Sequence, residues 1–384
     1  MNNAKQISIL GATGSIGQST LDVARHLNDI SVFAMSGHSR LEQLAADARE
    51  FRPRIVVATC QQSASNFDFG ALPGTDVLIG EEHLEHIAAH QDVNIVVAAI
   101  VGAAGLRSAM AAVQAGKTIA LANKETLVVA GQLISDLARK NNSTILPVDS
   151  EHNAIFQALA GSKREEVARI ILTASGGPFR DWPAEKLRAV TTEQALAHPT
   201  WTMGAKISID SATMMNKALE VIEARWLFDM PADQIDVVVH PQSIVHSMVE
   251  YVDGSTLAQI SPPDMRLPIQ HALTWPNRVG GLTPKLDLTR AMSLDFSPPD
   301  LERFPALGLG FDVARKGGTT GAVLNAANES AVEAFLNREL SFTDIASSCR
   351  EILEQHDFIN DPTFEQLMAA DAWARQEMNR WTTV

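Results

Sequence analysis

Cysteine is scarce in this chain of 384 residues: only Cys60 and Cys349 occur, far apart and outside any metal or thiol motif. This argues for buried or incidental thiols in a reducing compartment, and against a disulfide scaffold or a catalytic thiol. No apolar run reaches transmembrane length. The N-terminus, Met1-Asn2-Asn3-Ala4-Lys5-Gln6, passes directly into a strand pattern without a signal-type core, so the cytoplasm is the expected compartment. Positive charge is also short, 31 Lys and Arg against 45 Asp and Glu, and the net charge of −14 argues against a nucleic-acid surface. A phosphorylated ligand would need a locally basic pocket. There is no internal repeat and no low-complexity segment. The length allows two or three domains with cores of their own.

Residues 6–10 read as a buried strand, followed at once by Gly11-Ala12-Thr13-Gly14-Ser15-Ile16-Gly17 and then by a helix whose Ile16, Thr20, Val23 and Leu27 recur at helical spacing. Apolar strands follow at 30–35, 54–58, 76–79, 94–101 and 118–121, with helical patterns at 106–115 and 126–140. This alternation predicts a doubly wound parallel sheet as far as residue 148. An apolar strand at 144–148 closes that region, and from residue 150 the pattern is mixed α+β: a strand at 167–173, a helix over 211–228, and a hairpin of 243–252 and 255–260 turning at Asp253-Gly254. Residues 261–310, rich in proline, read as an extended connection. From Gly321 the chain is helical, with Asp361-Pro362 as an N-cap and N1 pair.

The glycine segment has the strand before it and the helix after it that a pyrophosphate-binding loop needs. At the end of the second strand, where an NAD enzyme carries an acid for the ribose hydroxyl, this chain has Ser36-Gly37-His38-Ser39-Arg40. The missing carboxylate and the nearby hydroxyl, imidazole and guanidinium favour a 2′-phosphate and hence NADP; a solvated loop is the alternative. Asp149 and Glu151 stand at the C-terminal end of an apolar strand, where α/β sheets present ligand groups. They also suit a helix N-terminus with Ser150 as cap. Asn216, Lys217 and Glu220 share a helix face and can hold a hard cation beside an anion, or form an ordinary salt-bridged face. Thr173-Ala174-Ser175-Gly176-Gly177-Pro178 offers an anion nest or a plain turn. The stretch His198-Pro199-Thr200-Trp201-Thr202-Met203-Gly204 suits a mobile lid, although a lone histidine is usually structural. Ala122-Asn123-Lys124-Glu125 ends a strand on the cofactor edge, where capping is the alternative.

In combination, Gly-Ala-Thr-Gly-Ser-Ile-Gly (11–17), Leu-Ala-Asn-Lys-Glu-Thr-Leu (121–127), Pro-Val-Asp-Ser-Glu-His (147–152), Ala-Ser-Gly-Gly-Pro-Phe (174–179), His-Pro-Thr-Trp-Thr-Met-Gly (198–204) and Asn-Lys-Ala-Leu-Glu (216–220) closely resemble the 1-deoxy-D-xylulose 5-phosphate reductoisomerase family over essentially the whole chain. The resemblance implies an enzyme of the non-mevalonate isoprenoid pathway that converts 1-deoxy-D-xylulose 5-phosphate to 2-C-methyl-D-erythritol 4-phosphate with NADPH and Mg²⁺ or Mn²⁺, by rearrangement thought to run through retro-aldol cleavage and re-addition. It implies a homodimer with a Rossmann-like NADPH domain (1–148), a central α+β catalytic domain (149–276) with a lid near 198–206, a linker (277–310) and a C-terminal helical bundle (311–384).

By the same resemblance Asp149, Glu151 and Glu220 are metal ligands, and Ser175, His198, Ser211, Asn216 and Lys217 surround the substrate phosphate. Ser150 and Lys124 lie near the carbonyl and hydroxyl end, with Lys124 and the three acids as the catalytic set. Thr13, Gly14, Ser15, Ile16, Gly37, Asn123, Glu125 and Gly204 line NADPH. The loop at His38, Ser39 and Arg40 departs from the family's lysine- or arginine-plus-asparagine pattern, so its contacts are left open. Two other classes compete: another NADP- and metal-dependent dehydrogenase, disfavoured by the phosphate-binding set, and a non-catalytic NADP sensor, which has no need of three ligand-type acids.

Overall fold

The computed structural model describes residues 4–201 and 203–383. Met1, Asn2 and Asn3 at the start of the N-terminal reading, Thr202 in the lid motif, and Val384 lie outside the described residues.

The chain divides into two compact units. The first gathers the chain up to Thr126, Ile134–Asn153 and Asp264–Pro284; the second holds Leu127–Leu133, Ala154–Pro263 and the chain from Lys285. In the first unit β1 (Lys5–Leu10), β2 (Ile30–Gly37), β3 (Ile55–Ala58), β4 (Asp76–Ile79), β5 (Ile95–Ala98), β6 (Thr118–Leu121) and β7 (Thr144–Pro147) form one parallel sheet in the order β4-β3-β2-β1-β5-β6-β7. The strands are short runs of Ile, Val and Ala, as strands covered on both faces require; Ile7, Ile9, Val56, Val57, Val96 and Val97 are buried. The order reverses between β1 and β5, which makes their carboxyl ends the switch point where such sheets bind ligands. This is the doubly wound sheet that the sequence pattern predicts.

The second unit carries β8 (Val167–Ala174), β9 (Ile235–Val239), β10 (Val245–Tyr251) and β11 (Thr256–Ile260) in the order β11-β10-β8-β9. The hairpin of β10 and β11 turns at Gly254, where φ is +85°, and the Asp253 carboxylate accepts from the Ser255 N–H at 2.9 Å. The helices Met215–Leu227, Ala306–Lys316, Thr320–Leu336, Asp344–Gln355 and Phe364–Thr383 complete this unit. Their buried Leu219, Ile222, Leu324, Ala327 and Ile345 join Ile170 and Leu172 of β8 in one core. Both cysteines are free thiols. Cys349 is buried in that core, where burial pushes its thiol up and leaves it unreactive.

Several sequence expectations shift. Strand 94–101 ends at Ala98, because the Asn123 amide takes the carbonyls of Ile100 and Gly102 at 2.5 and 3.0 Å and turns the chain off the sheet. The helix expected over 211–228 is two helices, Ala205–Ala212 and Met215–Leu227, divided at Met214 with φ +63°. Strand β9 lies outside the strands that the pattern predicts. The extended connection at 261–310 contains a helix, Arg266–Thr274, that packs in the first unit against the helix Ser15–His26. Pro268 occupies its first turn, where an N–H has no intrahelical partner, so the proline that suggested a break is tolerated. The last helix is capped two residues later than expected. Thr363 accepts from the Gln366 N–H at 3.3 Å, and the Gln366 side chain accepts from the Thr363 N–H at 2.8 Å.

Candidate active site

In the first unit the glycine loop is held from beneath by the end of β2. The Ser36 hydroxyl accepts from the Gly11 N–H at 2.9 Å and its carbonyl from the Ala12 N–H at 2.7 Å. Ser36 is buried, so it organises the loop rather than reaching a ligand. Gly14 precedes the helix Ser15–His26, Thr13 is buried, and Ser15 is exposed at the helix start, where the first N–H groups have no intrahelical partners. Glycine is compulsory at 17: a Cβ there would lie 2.3 Å from the carbonyl oxygens of Gly11 and Ala12. Gly37 faces Thr13, with the threonine methyl 3.1 Å from where a Cβ would sit. His38, Ser39 and Arg40 are exposed beyond it. The Asn123 side chain is spent on the fold, donating to Ile100, Gly102 and Glu125 and accepting from the Thr126 N–H and hydroxyl. Asn123 and Glu125 are both buried.

At the end of β7, Asp149 rather than Ser150 caps the following helix: its Oδ1 accepts from the N–H groups of Glu151 and His152 at 3.1 and 3.3 Å. Ser150 instead donates to Glu151 Oε2 at 2.6 Å. The other Asp149 oxygen pairs with the Lys124 ammonium. Asn153, which sequence reasoning missed, steadies this turn by donating to the Pro147 carbonyl at 2.8 Å, and its amide lies 3.3 Å from Nδ1 of His271. Burial, with Arg278 nearby, lowers the His271 imidazole to about 4 and keeps it neutral, so the ring nitrogen can accept. No sequence spacing links residue 153 to 271; only the return of the chain through Arg266–Thr274 does.

The second unit brings together the anion-site candidates. Ser175 follows β8 and lies 3.0 Å from His198 Nε2, while His198 Nδ1 accepts from the N–H groups of Thr200 and Trp201 at 3.1 and 3.0 Å. Because Nδ1 accepts, Nε2 carries the proton and donates to the Ser175 oxygen. Burial, reinforced by Arg180, holds the imidazole below the usual histidine range and favours this neutral form. The Ser175 oxygen also accepts from the Gly177 N–H at 3.3 Å, so its own hydroxyl proton is available to an anion. Gly177, at φ +67°, has the Ser211 carbonyl oxygen only 2.6 Å from where a Cβ would be, and this close approach sets Ser211 beside the Ser175 loop.

One helical turn beyond Met214, Asn216, Lys217 and Glu220 share a face as the spacing requires. Asn216 Nδ2 donates to Glu220 Oε1 at 2.6 Å, and the Lys217 ammonium pairs with Oε2. Lys217 and Glu220 are 3 % and 1 % exposed, which removes them from the class of solvated salt-bridged faces. The Asn216 Oδ1 atom is buried without a hydrogen-bond partner. Gly204 caps Ala205–Ala212 with nothing near its missing Cβ. The metal and cofactor fit this chemistry. Asp149 and Glu220 each already hold an ammonium, so each presents an oxygen shaped to a cation, and the tight glycine turn leads into a helix start suited to a pyrophosphate.

The chain matches known proteins over nearly its whole length. A family model described as 1-deoxy-D-xylulose 5-phosphate reductoisomerase matches residues 7–131, one described as its C-terminal domain matches 145–228, and a DXP reductoisomerase C-terminal domain model matches 260–377. The chain is 55% identical over 376 residues to the 1-deoxy-D-xylulose 5-phosphate reductoisomerase of Chlorobaculum tepidum, covering 97% of this chain and 98% of that protein. Among solved structures, the reductoisomerase from Zymomonas mobilis in complex with NADPH superposes with a TM-score of 0.93 at 44% identity, covering 99% of both chains. A DOX-P reductoisomerase in complex with NADPH, fosmidomycin and magnesium gives the same score and identity over 99% of this chain and 98% of that one. The motifs, the paired sites and these matches over nearly the full length agree, and the chain belongs to the 1-deoxy-D-xylulose 5-phosphate reductoisomerase family.

Proposed function

We propose that this chain catalyses the isomerisation and NADPH-dependent reduction of 1-deoxy-D-xylulose 5-phosphate to 2-C-methyl-D-erythritol 4-phosphate. Asp149, Glu151 and Glu220 form one ligand set for Mg²⁺ or Mn²⁺. Thr13, Gly14, Ser15, Ile16, Gly37, Asn123, Glu125 and Gly204 line the NADPH site. When bound, the divalent cation serves as Lewis acid toward the carbonyl and hydroxyl oxygens of the substrate, and NADPH supplies the hydride.

The chain's own residues bind, orient and shield. Ser175 donates its hydroxyl proton to the substrate phosphate, while His198 and Gly177 fix its oxygen. Lys217, buried and cationic, adds a charge-assisted contact, with Ser211 and Asn216 beside it. Lys124 and Ser150 serve the reacting end. His198 joins the phosphate site to the backbone of Thr200 and Trp201, so phosphate binding is felt in the lid at 198–206. The functional division runs 1–148, 149–276, 277–310 and 311–384. The chain works as a homodimer, a reading supported by exposed apolar side chains at Leu257 of the edge strand β11 and at Leu288 and Phe296. Among the described residues no helix is long and apolar enough to cross a membrane.

The observation that carries this reading is the buried Lys217–Glu220 pair with an orphaned Asn216 oxygen, in a chain 55% identical to a reductoisomerase. NADPH absorbance, followed with 1-deoxy-D-xylulose 5-phosphate and Mn²⁺, should fall only when all three are present. Cofactor binding without turnover would instead make the chain an NADP sensor.

A further inference from the structure

One contact at the edge of the nucleotide site belongs to no motif. Thr59 stands immediately after β3, and its Oγ1 lies 2.9 Å from His38 Nδ1 and 3.3 Å from the Gly37 carbonyl oxygen. The hydroxyl can donate to the carbonyl while accepting Nδ1–H, or donate to Nδ1 itself; in either arrangement the shorter contact ties the ring to Thr59. The ring is held at one nitrogen while its body is exposed. With Nδ1 engaged by Thr59, Nε2 is the ring nitrogen left for a ligand.

We infer that Thr59 is a positioning residue for cofactor selection: it fixes His38 so that Nε2 meets the 2′-phosphate that distinguishes NADPH from NADH. This rests on the NADPH reading above and adds to it the residue that makes the selection and the one that holds it in place. A lysine donates from a flexible stem with a constant charge. A histidine in the same loop needs an anchor to hold its ring, which Thr59 provides. Arg40, two residues on, adds unvarying charge.

The test measures Kd for NADPH and for NADH by nucleotide fluorescence on the full chain, without turnover. In Thr59→Val the NADH Kd should stay within about twofold while the NADPH advantage falls by about threefold to tenfold, the size of one charge-assisted contact partly lost. Thr59→Ser, which keeps the hydroxyl, should retain the advantage, and His38→Gln should lose it to the same extent as Thr59→Val. Undiminished NADPH preference in Thr59→Val, or a preference indifferent to His38→Gln, overturns the inference while leaving the cofactor reading intact. Equal loss of both cofactors in Thr59→Val makes the residue general scaffold and also overturns it. Failure of the unmodified chain to bind NADPH would remove the reading beneath it.

Discussion

Glu220 carries two burdens at the residue scale: it pairs with a buried lysine and is the third acid of the proposed ligand set. Removing the side chain would strand the Lys217 charge, at a cost of about 3–5 kcal/mol, and confuse folding with catalysis. Glu220→Gln keeps the shape and one acceptor oxygen for Lys217, turns the other acceptor into an NH2 donor and removes the charge, so a Tm measured beside the kinetics separates the lost ion pair from catalysis. Its metal affinity should fall by at least the ~10–100-fold seen when a group that merely orients a ligand is lost. Turnover should collapse while NADPH binding stays within about twofold. Normal rates at limiting Mn²⁺ would take Glu220 out of the ligand set.

His198 offers a pH test at the same scale. Its imidazole is held below the usual histidine range in the folded chain, so the unfolded chain is the better proton acceptor. The stability that this residue contributes is complete above about pH 6.5 and is lost as pH falls toward the folded value. Protonating Nδ1 also ends its acceptance from Thr200 and Trp201. KM for the phosphorylated substrate should therefore rise below about pH 6, more steeply than in His198→Gln, which shares the substrate's own phosphate titration but not the ring's. Identical profiles would leave His198 without this role.

Two elements matter most for the site, the turn after β8 and the segment leading into Ala205–Ala212. Gly177 at φ +67° leaves no room for a Cβ beside Ser211. Gly177→Ala should cost about 1–3 kcal/mol in thermal unfolding and lower kcat/KM by separating Ser175 from Ser211. An unchanged Tm with unchanged kinetics would mean that the turn relaxes freely. In the second element, Trp201 is only half-buried and is tied through its N–H to His198. Trp201→Ala should impair kcat/KM by tenfold or more, about 1.4 kcal/mol, without lowering Tm. Limited proteolysis near Trp201 should be fast in the free chain and slow with NADPH, Mn²⁺ and a phosphonate substrate analogue; equal cleavage in both states describes a fixed loop.

For the whole molecule, the net negative charge and the exposed Leu257 of β11 bear on assembly. Light scattering should return twice 41.5 kDa, and Leu257→Lys should shift the mass toward 41.5 kDa by placing charge at an apolar edge. A monomer in the unmodified chain would contradict the dimer reading. The parallel sheet was legible here because its seven short Ile- and Val-rich strands recur with helical patterns between several of them. Strand β9 was not, since five residues between a 3₁₀ turn and His240-Pro241 carry too little periodicity. The helix Arg266–Thr274 was masked by Pro268 and the prolines that flank it, and the break at Met214 by apolar spacing that runs on unbroken.

By itself the sequence determined which chemical groups this protein owns and which of them share an element: the glycine turn, the acids at 149 and 151, and Asn216, Lys217 and Glu220 on one helical face. These follow from spacing, because a helix or strand fixes the direction of near neighbours. Only the tertiary structure decided that Asp149 caps its helix while Ser150 does not, that Ser36 serves the glycine loop, that His198 is neutral with its proton on Nε2, and that Thr59 holds His38. Each of those depends on partners brought together by packing across long stretches of chain or on competition for a single hydrogen bond. Neither leaves a periodic trace in the order of residues.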